Sequence, residues 1–527
     1  MKKFINYALG ASLLMITVSS CKKDLSEEAA PTSTTSESQR HGGWGSSNSD
    51  FYALANGNQL DKFNSNSCYN SSPSPSNSAT ITGLQSGETI LAIDFRPATG
   101  QLYGLGSTSR IYVINPMTGA ARMIGATPFT PALNGTIAAF DFNPTVDRIR
   151  VVTNTGQNFR LNPETGALAA TDGSINGMAG AMISAVAYSN NFAGSTTTTL
   201  YDIDPVSDKL YKQDPPNAGT LVTIGALNLD VQGEGGFDIS PKGNALGIFK
   251  VNNVSTLFEV DLATGDADVK ASFSTNYTAI AIPTSSVAYA VTSTNNLLIF
   301  GLQSSGYGGS YGGGSSSATI TKPITGLQAG ETIKGLDMRP INGQLYALGS
   351  NNNLYTINSS SGLATLAFAL SAAIPGTTFG FDFNPLVDRI RIVSNTGANR
   401  RVNPNDGIVT VDSSLNPGSP AITAAAYNNN FAGTTATTLF AIDHNNNKLY
   451  QISPPNAGTL VLVGNLGVDI PAENGFDYGG TSNNAYAVFK SGYSTKIYRI
   501  NTSTGYSYQT GSLGNVVING FAIGLGF

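Results

Sequence analysis

Short apolar runs separated by turn residues set the rhythm of this chain. Between Ile90 and Gly125 apolar runs at 91–95, 101–105 and 110–114 and a fourth ending at Ile124 are divided by Pro97-Ala98-Thr99-Gly100 and by Asn115-Pro116-Met117-Thr118-Gly119. Runs of this length bounded by Gly, Asn and Pro predict strands, and four antiparallel strands in a unit of 35 to 50 residues predict a propeller blade. The second turn recurs as Asn162 to Gly166, Asp261 to Gly265 and Asn501 to Gly505. Asn or Asp opens such a turn and Gly supplies its positive φ.

The units repeat at two levels. ITGLQSGETI at Ile81 returns as ITGLQAGETI at Ile324, and the 27 residues from Phe140 return from Phe381 with 19 identical. NNFAG and PPNAGTLV, at Asn190 and Pro215, return at Asn429 and Pro454. Five units fit each half, beginning near Phe51, Ile90, Ile137, Ile183 and Gly235, then near Val287, Ile333, Phe379, Ile422 and Gly475. The unit at Phe51 lacks an innermost strand before it. Two apolar segments, 277–282 and 521–527, are available to close a ring. If each closes its own half, the fold is all-β, tandem β-propellers of about five four-stranded blades each. If the C-terminus reaches back to the first blade, one ten-bladed ring results. Two rings are the expectation, because propellers have roughly four to eight blades. The Gly- and Ser-rich stretch 303–317 matches 64–78 in position and reads as a loop within a blade. The divisions expected are a signal at 1–21, a tether at 22–49, and propellers at 50–284 and 285–527.

Composition then places the chain in a compartment. Lys2 and Lys3 precede an apolar run from Tyr7 to Val18 that is too short to span a bilayer, and Val18-Ser19-Ser20-Cys21 resembles a bacterial lipobox. Cys21 is therefore the expected lipidation site, giving a membrane partner through the N-terminal lipid and a bacterial outer membrane lipoprotein at the surface or the periplasmic face. Residues 26–49 hold almost no aliphatic side chain and read as a flexible tether. With Cys21 lipidated, Cys68 alone remains, so no intramolecular disulfide is expected. A net charge of -5 with 12% charged residues offers no basic field for nucleic acid.

Candidate chemistry is sparse. The innermost strand of three units per half carries aspartate at a matched position: Asp94, Asp141 and Asp238, then Asp337, Asp382 and Asp477. Lining a channel, these would be ligands for a cation such as Ca²⁺. The competing and expected reading turns each between blades to accept backbone N–H groups or to pair across its hairpin. The hairpin register sets Asp141 opposite Arg150 and Asn143 opposite Arg148, repeated as Asp382 with Arg391 and Asn384 with Arg389. Arg148, Arg150, Arg160, Asn154 and Asn158, matched by Arg389, Arg391, Arg401, Asn395 and Asn399, are the candidate ligand-binding residues, suited to a small acid or a sugar acid. Turn capping and pairing between blades account for the same residues. His41 and His444 are the two histidines, too few for a histidine triad or zinc site.

The ITGL, FDFNP-DRIR-NTG-N-R-NP and NNFAG-PPNAGTL motifs together resemble a bacterial family of exported repeat domains of uncharacterised function. The resemblance spans both halves and implies an extracytoplasmic, β-propeller-like module, with no catalytic residue carried over. The function expected is binding or scaffolding of a glycan, small acid or protein ligand. The alternative is an extracytoplasmic hydrolase that attacks a glycan or ester through channel carboxylates.

Overall fold

Inner and outer strands of each unit differ in what they bury. In the unit Ile90–Phe95, Leu102–Gly106, Arg110–Ile114, Ala121–Ile124, the second strand is buried at every residue while the fourth keeps three of four residues partly exposed. Both faces of an inner strand lie against neighbouring blades, so its sequence is continuously apolar rather than alternating. The turn before the fourth strand is fixed by Asn115, whose Oδ1 accepts the N–H groups of Met117 (2.9 Å) and Thr118 (3.1 Å), with Gly119 at φ 75°.

The computed structural model describes residues 50–64, 73–302 and 319–527. Cys21, the tether, His41 and Cys68 lie outside the described residues, as does all of 303–317. The described chain forms ten four-stranded antiparallel sheets. Among the described residues no helix is long and apolar enough to cross a membrane.

Closure follows the two-ring arrangement. Tyr277–Ala281 pairs with Asp50–Ala55, completing the first blade of the first half, and Ile518–Ile523 pairs with Ala288–Thr292 in the second half. The second closing strand starts three residues before the apolar run at 521–527 and ends inside it, at Ile523. Beyond it Gly524 turns, and the N–H of Gly526 reaches the Thr99 carbonyl at 2.8 Å, so the last residues pack on the first half instead of continuing the sheet. In the first ring the innermost strands Tyr277–Ala281, Ile90–Phe95, Ala138–Asn143, Ala185–Tyr188 and Gln232–Ile239 each lie beside the next, and the fifth lies beside the first. The chain is thus a pair of tandem five-bladed β-propellers.

The inner strands approach closely. A Cβ on Gly475 would stand 2.3 Å from that of Phe521, and one on Gly380 would stand 2.5 Å from the Ala425 nitrogen, so only glycine fits there. Between blades the core is aromatic and aliphatic. Tyr103 and Phe142, from adjacent blades, meet edge to face at 5.1 Å.

Candidate functional site

All six aspartates sit near the ends of innermost strands, and each half brings its three together. The carboxylate oxygens of Asp94, Asp141 and Asp238 lie within 4.8 Å of one another, as do those of Asp337, Asp382 and Asp477. Every one of these residues is at most 1% exposed. Each carboxylate also reaches sideways to the next blade. Asp94 accepts the N–H of Phe142 at 2.8 Å, Asp141 that of Tyr188 at 2.9 Å, and Asp238 that of Ile282 at 2.5 Å. The second ring repeats this with Phe383 (2.6 Å), Tyr427 (2.9 Å) and Ile523 (2.6 Å). The residues before the donating N–H groups include Ala187 and Ala281, and Ala426 and Ala522 in the second ring, so each ring reads Asp, Asp, Ala, Asp, Ala around its axis. Asp238 and Asp477 pin the closing strands.

Burial pushes the carboxyls of Asp238 and Asp337 up to about 7. Burial, reinforced by the neighbouring carboxylates, holds Asp94, Asp141, Asp382 and Asp477 well above the usual range. The Oδ2 of Asp382 is buried without a hydrogen-bond partner.

The expected hairpin pair forms in register but not in charge. Asp141 stands opposite Arg150, and Asp382 opposite Arg391. Yet the guanidinium of Arg150 runs outward along the blade to Asp172 (2.6 Å), Asn158 (2.7 Å) and, on the next blade, Asn217 (2.7 Å). The side chain is long enough to reach a carboxylate on the outer strands, where Arg160 also binds Asp172 at 2.8 and 2.9 Å. Arg391 and Arg401 repeat this around Asp412, with Asn399 and Asn456. The acid these arginines hold is therefore the protein's own. Asn158 and Asn399 also donate to carbonyls of the PPNAG turn, Pro216 and Pro455 (3.0 and 2.9 Å), which explains why that motif recurs. Asn154 and Asn395 accept turn N–H groups from Thr136 (3.2 Å) and Thr377 (3.0 Å), and Arg148 and Arg389 donate to the carbonyls of Asp147 (2.7 Å) and Asp388 (2.8 Å). His444 lies in a turn.

Three groups escaped the sequence reading. Arg96, 1% exposed, grips Asp147 through Nε (2.9 Å) and Nη2, and also Glu164, while Arg339 grips Asp388 (2.8 Å) and Asn405 (2.9 Å). The signal was present, since Arg96-Pro97 recurs as Arg339-Pro340 in a chain poor in arginine. Asp202 is fully buried with both carboxylate oxygens unpaired, and burial raises its pKa well above the usual range, against the nearby Arg150.

Fold and site together define a double β-propeller with a buried carboxylate trio on each axis. The chain belongs to the family described as "Domain of unknown function (DUF4394)", which it matches over 59–282 and again over 314–522. No curated protein matches it significantly. Solved structures similar to it include a protein from Lactobacillus plantarum (14% identity, 62% of this chain and 95% of that one, TM-score 0.27). Another is the Dos1 propeller (12%, 63% and 82%, TM-score 0.24). A third is PorZ, a bacterial surface component of the type-IX secretion system of Porphyromonas gingivalis (13%, 89% and 59%, TM-score 0.23). At such scores these likenesses add nothing to what the ten sheets already establish.

Proposed function

We propose that this protein is an exported, lipid-anchored binding and scaffolding protein whose two rings are each locked by a divalent cation, Ca²⁺ by the chemistry of its ligands, held in the axial trio. The observation that carries the reading is the convergence of three buried carboxylates within 4.8 Å, with no Arg or Lys paired to any of them among the described residues. Two unit charges 4.8 Å apart repel by about 3.5 kcal/mol at an effective dielectric constant of about 20. Three such pairs come to about 10 kcal/mol, the order of a whole domain's stability. The trio is consequently neutralised, either by protons or by a cation. Oxygens bound to Ca²⁺ at about 2.3–2.6 Å stand no more than about 5 Å apart, so the spacing suits that ion. An oxygen that accepts one N–H keeps a lone pair for a metal, and the unpaired Oδ2 of Asp382 is free to bind one.

The arginine nodes are read as braces, because each guanidinium named above is met by the protein's own acids and amides. A hydrolase working through the trio would need substrate to reach carboxylates that are at most 1% exposed. Anchoring through Cys21, placement at the outer membrane on its surface or periplasmic face, and a glycan or protein as ligand belong to the same proposal. Metal analysis tests the central claim. Protein dialysed against CaCl₂ should retain about one Ca²⁺ per ring and lose both to chelator with a fall in melting temperature. A protein free of divalent metal whose melting temperature is unchanged by chelator would overturn it.

A further inference from the structure

We propose that the cleft between the two rings binds a small monocarboxylate with an apolar body, received by Arg122. The cleft has a volume of about 460 Å³, and its lining includes Gln101, Leu102, Val113 and Arg122 of the first ring and Phe431 and Leu525 of the second. Ligand pockets favour such seams between domains, with apolar walls and a few polar groups that orient the guest.

Arg122 is the unusual member. The buried arginines Arg96, Arg150, Arg339 and Arg391 all grip carboxylates. Arg122 makes no hydrogen bond or ion pair with any described residue. Its electrostatic partner is Tyr103, whose hydroxyl already receives Arg96 Nη1 at 3.4 Å. Burial lowers its pKa, as expected of a guanidinium losing water without gaining an anion. Nor does the blade require arginine there. Arg122 pairs in register with Val113, and the matching pair of the second ring is Thr356 with Thr365. The side chain of Gln101 makes no hydrogen bond either, leaving an amide beside the cation. A guanidinium beside apolar walls suits a carboxylate held through two parallel hydrogen bonds. One positive charge neutralises one carboxylate, whereas a phosphate dianion would carry excess charge into apolar surroundings. The site is independent of the axial cation.

Octanoate is the probe, titrated calorimetrically into the full-length protein with octanamide as its neutral analogue. Octanoate should bind and raise the melting temperature, and octanamide should bind at least tenfold more weakly. Arg122→Met should weaken octanoate binding at least tenfold, and Arg122→Lys should restore part of it. Ala432→Trp, which fills the cleft while leaving Arg122 in place, should block binding. Equal affinity for octanoate and octanamide, unchanged binding by Arg122→Met, no binding up to millimolar octanoate, or displacement of octanoate by equimolar inorganic phosphate would each overturn the proposal.

Discussion

Replacing Asp382 by Asn separates the protonated trio from the metal-bound one. Its Oδ1 accepts the Tyr427 N–H at 2.9 Å, which an amide oxygen preserves, and its Oδ2 is unpaired. The new NH₂ would therefore face the carboxylates of Asp337 and Asp477 as a donor. In chelator, each trio carboxyl has a folded pKa above its unfolded value, so the stability it contributes is fully present below about pH 4 and is lost as pH rises through the folded value. For Asp337, raised from 3.8 to about 7, the loss is on the order of 4 kcal/mol at about 1.36 kcal/mol per unit. Burial, reinforced by the carboxylates of Asp337 and Asp477, holds Asp382 well above the usual range in the same sense, so removing its carboxyl should raise the melting temperature at pH 8 in chelator. Calcium reverses the comparison: the wild type should gain stability with the ion, increasingly as pH rises and fewer protons compete, while Asp382→Asn should lose that response in its ring. Calorimetric melts from pH 6 to 8.5 in chelator and in CaCl₂ read out all four states. If Asp382→Asn destabilises the protein in chelator as much as in calcium, the carboxyl is a plain hydrogen-bonding strut and the electrostatic account fails.

Three further outcomes are expected. Cys21→Ala should abolish incorporation of labelled fatty acid and release the protein from membranes; undiminished labelling would refute the anchor. A fragment of residues 49–285 should unfold cooperatively in urea, because Tyr277–Ala281 completes its first blade, and aggregation of the fragment beside a stable full-length protein would count against ring autonomy. In double-mutant cycles followed by urea melts, Arg150→Ala and Asp172→Ala should couple by roughly 0.5–3 kcal/mol, while Arg150→Ala and Asp141→Ala should be additive within about 0.5 kcal/mol; strong coupling of the second pair would restore the hairpin ion pair.

The blades were legible because their signals are local. Asn115 to Gly119 carries its own turn chemistry, and the apolar run before Pro97 is long enough for one strand. The hairpin register of Asp141 with Arg150 was equally local. What the pattern could not supply was the reach of a side chain. Arg150 meets Asn217 across 67 residues of sequence and Arg96 meets Glu164 across 68. Both links depend on how blades stack, which the two-residue period of a strand does not encode. The convergence of the aspartates depends in turn on the radius of the ring, and three matched residues in five blades do not reveal how near the axis their carboxylates come.

Ring closure also orders events in time. Asp50–Ala55 is the first of the described strands to be synthesised, yet its inner neighbour, Tyr277–Ala281, is made more than 200 residues later. Until then that strand presents a bare edge. By the time the corresponding clasp of the second half, Ile518–Ile523, exists, the first ring has had every residue it needs for well over 200 further additions. Two halves this alike invite misassembly by strand exchange, a characteristic failure of repeat proteins. Placing each clasp at the end of its own half means that every strand of the earlier ring is available before its rival clasp has been synthesised, so the order of strands along the chain favours pairing within a half over swapping.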